Sequence, residues 1–66
     1  MQINATKIRL ILAKKEMNQQ DLAALLGVRP QNINSILSRG TCTLKTLGKI
    51  SNALGVGPEE IIKEET

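Results

Sequence analysis

The feature that most constrains this chain is the run from Asn18 to Gly40, NQQDLAALLGVRPQNINSILSRG, in which two short helical patterns are separated by a three-residue break. Asn18 is suited to cap the first helix, because its side-chain oxygen accepts from a backbone N–H left free in the first turn. Asp21, three residues on, stands where a capping box places its acid. Leu22, Leu25 and Leu26 read as one apolar face, and Ala23 is small enough for another helix to approach. Gly27 ends that helix, since glycine adopts the left-handed cap conformation at least cost. Pro30 suits a first helical position, where its missing N–H is no loss. Ile33, Ile36 and Leu37 follow at the spacing of a buried stripe. With those turned inward, Gln31, Ser35 and Ser38 project from the opposite face, flanked by Asn32, Asn34 and Arg39. A helix held by its apolar side that offers short amides and hydroxyls to solvent is chemically suited to reading base edges.

The rest of the chain extends the pattern. Asn4 is a plausible cap for a helix from Ala5 to about Lys15, with Ile8, Ile11 and Leu12 inward. Leu10 falls off that stripe, leaving it exposed or covered by a partner, and Met17 is placed to pack on this helix. Thr43 caps a further helix carrying Leu44, Leu47, Ile50 and Leu54, with Ala53 beside them and Gly55 at its end. Gly48 inside it costs about 1 kcal/mol relative to Ala, which argues for close helix packing there. Pro58-Glu59-Glu60 opens a fifth, short helix anchored by Ile61 and Ile62. Residues 1–4 and 63–66 are expected to fray. The expectation is therefore all-α, a single domain over residues 1–66, with Ile8, Leu12, Leu22, Ile33, Ile36, Leu47, Ile50 and Leu54 in one core. No Trp, Tyr or Phe is present to support a sheet. A chain this small buries only about 60% of its unfolded surface, so every large aliphatic residue matters.

Charge and absent chemistry narrow the function. Residues 1–42 hold six basic and two acidic groups, whereas residues 43–66 hold three and four. The positive field thus sits on the half containing the amide-bearing helix, as nucleic-acid binding requires. There is no His, and Cys42 is the sole cysteine. It has no partner for a disulfide, no cluster for a metal and no His to act as its base. The acids fall mainly at a helix start and in the last residues, where capping and solubility explain them. No catalytic residues, cofactor or metal are expected. No apolar run approaches a membrane span, and a signal peptide's pattern is lacking, so the expected location is cytoplasmic.

Three runs, Q-x-D-L-A-x-L-L-G-V, then P-Q-x-I-x-x-I-L, then T-L-x-K-I-x-x-A-L-G-V-x-P-E-E-I, follow one another across roughly Lys7 to Ile62. In that order and spacing the chain resembles the helix-turn-helix family of phage Cro and lambda-type repressors, often called XRE-like. The resemblance implies a compact five-helix bundle, its second and third helices forming the helix-turn-helix. It also implies that the helix over residues 30–38 enters the major groove of double-stranded DNA. Gln31, Asn32 and Ser35 are then the base-contacting candidates, Gln31 by a bidentate amide pair to adenine. Gln19, Arg29, Arg39, Thr41, Thr43 and Lys45 are the phosphate-contacting candidates. Arg29 stands where the family often has a Ser or Thr cap, and Leu37 where many relatives carry Glu. The implied function is sequence-specific transcriptional regulation, most simply repression, by a weak homodimer formed on a near-palindromic operator. Ile61, Ile62 and Leu10 are the apolar residues left over for its interface. The alternatives are the antitoxin half of a toxin–antitoxin pair, with a protein partner, and a helical protein-interaction module.

Overall fold

The computed structural model describes residues 1–63. The expectation of fraying at residues 64–66 lies outside them. Four α-helices follow in order: α1 Ala5–Lys14, α2 Gln19–Leu26, α3 Pro30–Arg39 and α4 Leu44–Leu54. Each starts and stops where local chemistry directs. Asn4, Asn18 and Thr43 accept from the N–H groups of Lys7, Asp21 and Thr46, and so cap α1, α2 and α4. At Gly27, Gly40 and Gly55 the backbone turns left-handed, with φ of 70°, 72° and 71°. The end of α1 lacks such a glycine, and Glu16 takes the left-handed conformation instead at φ 57°.

The fifth helix expected from Pro58-Glu59-Glu60 is not formed. These three residues make a single 3-10 turn, Pro58–Glu60, closed by the Glu60 carboxylate accepting from the Gly57 N–H at 3.1 Å. The chain then leaves helical geometry because its backbone is claimed elsewhere. The Ile61 carbonyl accepts from the Asn4 N–H at 2.8 Å, and the Lys63 N–H donates to the Gln2 carbonyl at 3.1 Å. Two β-branched isoleucines in succession also favour this extended pairing over a helix.

The same hydrogen bonds correct the expected loose start of the chain. Gln2 bridges to Thr41 and Ile3 to Ile62, both antiparallel. The Ile3 N–H donates to Gly40 O, and the Cys42 N–H to Met1 O. Residues 1–4 thus form a clasp between the α3–α4 loop and the segment after the 3-10 turn. Ile3 is only 2% exposed and Ile61 is fully buried. Ile61 therefore belongs to the core of a single molecule and is not spare for an interface; Ile62 is half-buried against that core.

The core gathers Ile3, Ile8, Leu12, Leu22, Ala23, Ile33, Leu37, Leu47, Ile50, Leu54 and Ile61. Three leucine or isoleucine assignments differ from the spacing-based expectation. In α2 Leu22 and Ala23 are buried with Leu26 packed beside them, and Leu25, about 100° round the helix from Leu26, is 61% exposed. In α3 Leu37 is buried and Ile36 only half-buried. In α4 the buried line is Leu47, Ile50, Ser51 and Leu54. Leu44, in the first turn, is 68% exposed. Ser51 sits in the core without penalty because its hydroxyl donates to the Gly48 carbonyl at 3.0 Å. Gly48 itself is not a close-packing site, for a Cβ added there would meet no atom within 4 Å beyond its chain neighbours and the adjacent backbone of its own helix.

Candidate nucleic-acid interface

The site is built on two helix N-termini. At α2 the capping box is complete: Asn18 Oδ1 accepts from the Asp21 N–H at 2.9 Å, and Asp21 Oδ2 accepts from the Asn18 N–H at 3.0 Å. This fixes the first turn while leaving the N–H groups of Gln19 and Gln20 without helical acceptors, as every helix start does. Such a turn attracts an anion, although the Asp21 carboxylate restricts the approach to the glutamine side. At α3 Pro30 opens the helix and Arg29 precedes it with no side-chain cap bond. The guanidinium of Arg29 is exposed and uncommitted to the helix start.

Ile33 and Leu37 pin α3 to the core, and this turns Gln31, Ser35 and Ser38 outward. Gln31 and Asn34 share a shallow hollow with Gln19, Gln20 and Pro30, so four amide side chains from α2 and α3 converge. Asn32 faces the other way. It lies with Ser35 and Arg39 over a hollow floored by Leu26, Val28, Ile33 and Ile36, whose far wall is Thr46 and Lys49 of α4. The three expected base-reading residues are therefore split, with Gln31 on the α2 side and Asn32 and Ser35 bordering the hollow between α3 and α4.

The expected phosphate contacts are also sorted. Arg39 folds back over its own helix, its Nε donating to the Ser35 carbonyl at 3.4 Å, which places positive charge at the negative end of α3. Arg39, Thr41, Cys42 and Thr43 border one further hollow with Ile36 and Thr46. The Thr43 hydroxyl is committed within the α4 cap, accepting from the Thr46 N–H and donating to Thr46 Oγ1 at 3.0 Å. Its hydrogen is thus spent, unlike that of Thr41, which is exposed beside the clasp. Lys45 is exposed in the first turn of α4. Burial pushes the Cys42 thiol above its ordinary range, away from nucleophilic chemistry.

Two contributors lie outside the expected contact residues. Asn34 joins Gln31 across three residues of α3, and Lys49 stands across the hollow from Arg39. Lys49 follows Lys45 by one helical turn, a spacing that marks a shared flank of α4. None of these three hollows is lined by a carboxylate. No helix of the described residues is long and apolar enough to cross a membrane.

Among known families, the one described as a Cro/C1-type HTH DNA-binding domain matches this chain over residues 7–66. No curated protein and no solved structure matches it.

Proposed function

From the premise that this chain belongs to the Cro/C1-type helix-turn-helix DNA-binding domains, we propose that it is a sequence-specific transcriptional regulator, acting as a repressor, with α3 in the major groove. The observation that carries this reading is the outward face of α3. Gln31 and Ser35 stand opposite the buried Ile33–Leu37 pair, with the α2 N-terminus on one flank and Arg39 and Lys49 on the other. Gln31, helped by Asn34, reads a base edge through its amide, and Ser35 reads at the centre of the face. Asn32 reads from the α4 side of the groove. Gln19, Arg29, Thr41 and Lys45, together with Lys49, hold phosphates and set register.

Two copies act on a near-palindromic site, because one short helix offers few base contacts. Half-sites one turn apart are centred about 34–36 Å from each other. The molecule measures 32 × 21 × 18 Å, so two copies fit side by side with a small interface. With Ile61 taken into the core, the pair forms on DNA and the free protein is monomeric.

The test contrasts two alanine variants on operator and unrelated DNA at two salt concentrations. Gln31→Ala should cost roughly 1–3 kcal/mol and relax preference at one base position, leaving the salt slope unchanged. Lys45→Ala should weaken binding about equally on all sequences and reduce the slope by about one unit. Equal, sequence-independent losses in both variants would refute the orientation of α3, and no effect in either would refute the DNA-reading function.

A further inference from the structure

The face of α1 is not absorbed by the DNA-reading surface. Lys7, Leu10, Ile11 and Lys14 recur at three- and four-residue steps and so form one stripe along the helix. They border a groove completed by Val56, on the far side of the α4 C-terminus. Leu10 is 62% exposed and Ile11 half-buried, so apolar surface lies open in the middle of the stripe. Lys7 and Lys14 flank it, about 10.5 Å apart along the axis at about 1.5 Å per residue. Two other charged residues, Lys15 and Glu60, also line the groove. Lys15 Nζ lies over Gly55, at the negative end of α4, and the Glu60 carboxylate closes the 3-10 turn on Gly57.

We propose that this groove docks an amphipathic helix of a second protein, one bearing apolar residues between carboxylates two turns apart. The chemistry selects that partner against others. A phosphate backbone would satisfy the lysines but offers nothing to cover Leu10 and Ile11. The groove also shares no residue with the hollows around α3. No α-helix of a second copy supplies the complement: α1, α3 and α4 contain no acidic residue, and α2 contains only Asp21, which is held in its capping box. An acidic helix supplies both halves of the match, laying its apolar strip on Leu10, Ile11 and Val56 with carboxylates over Lys7 and Lys14.

The test uses the full chain, isotopically labelled, and a synthetic amphipathic peptide with leucines on one face and glutamates on both flanks. A counterpart with lysine in place of every glutamate is the control. Titration should shift the amide resonances of Lys7, Leu10, Ile11, Lys14 and Val56, and the lysine counterpart should not bind. The pair of changes Leu10→Ala and Lys14→Glu should weaken peptide binding by about tenfold or more. Both positions are exposed, so circular dichroism should be unchanged. The salt dependence of DNA binding should also stay the same. The proposal is overturned by absence of peptide binding, by equal binding of the lysine counterpart or by shifts confined to another face. It is equally overturned if Lys14→Glu flattens the salt dependence of DNA binding, which would make the groove a phosphate-binding surface. Self-association of the chain that Leu10→Glu abolishes would make the occupant a second copy, and would overturn it as well.

Discussion

Gly48→Ala is expected to stabilise the protein, because the usual reasons for a glycine inside a helix are missing at this position. Its φ is not left-handed, in contrast to Gly27, Gly40 and Gly55. A Cβ built on it meets no neighbouring atom within 4 Å, so the new methyl neither clashes nor gains packing. What remains is the backbone term: alanine loses less conformational freedom than glycine on entering a helix, by about 0.8–1 kcal/mol. With an unfolding entropy of about 2.1 cal/mol/K per residue, a chain this size should melt about 6–7 °C higher. Thermal and urea melts followed by circular dichroism measure the gain. Gly40→Ala is the matched control, since φ of 72° leaves an alanine strained there, and a loss of about 1 kcal/mol is expected. A destabilised Gly48→Ala would refute the reasoning, showing that another surface approaches α4 at that point. Loss of DNA affinity with a raised melting temperature would instead place the DNA backbone against α4 at Gly48.

Leu47→Ala and Ile61→Ala should each cost about 2–5 kcal/mol in urea titrations, since both side chains are buried; a loss within error at Ile61 would contradict the clasp. Glu16→Gly should gain up to about 1 kcal/mol by relieving the left-handed conformation at the end of α1, read from the melting midpoint. Cys42 should react with an alkylating reagent more slowly than a free thiol at the same pH, because its raised pKa keeps it protonated, and unfolding in urea should remove the difference.

The helix boundaries were legible in the sequence because capping is local chemistry. Asn4, Asn18 and Thr43 act on N–H groups within three residues of themselves, and Gly27, Gly40 and Gly55 act on their own backbone. The inward faces were less so. In α2, two lines fit a three-and-four spacing, and hydrophobicity favours the one through Leu25. The neighbours instead accept Ala23, whose small side chain lets α3 and α4 approach. The expectation of close packing at Gly48 fails for the same reason, as only its surroundings distinguish a packing glycine from a merely tolerated one. The clasp left no trace in any window, since it joins residues 2 and 3 to residues 41 and 62. The candidate site divides along the same line. Gln31 and Ser35 follow from opposition to a buried stripe on one helix. Asn32 and Lys49 find their places only when α3 and α4 are set side by side.

The clasp also has a consequence for the order of folding. Pairing residue 3 with residue 62 closes nearly the whole chain into a loop, which costs about 3.6 kcal/mol by the logarithmic length dependence, before any constant. Helices α2 and α3 pack on each other across a short turn and carry no such penalty. The terminal pairing therefore comes late, once the helices have drawn the two ends together, and it opens first when the molecule partly unfolds. The Gly40 carbonyl that accepts from Ile3 terminates α3. The C-terminal end of α3 is thus tied to the same clasp. Exchange of the Ile3 and Asn4 amides against solvent is the direct clock of that closure.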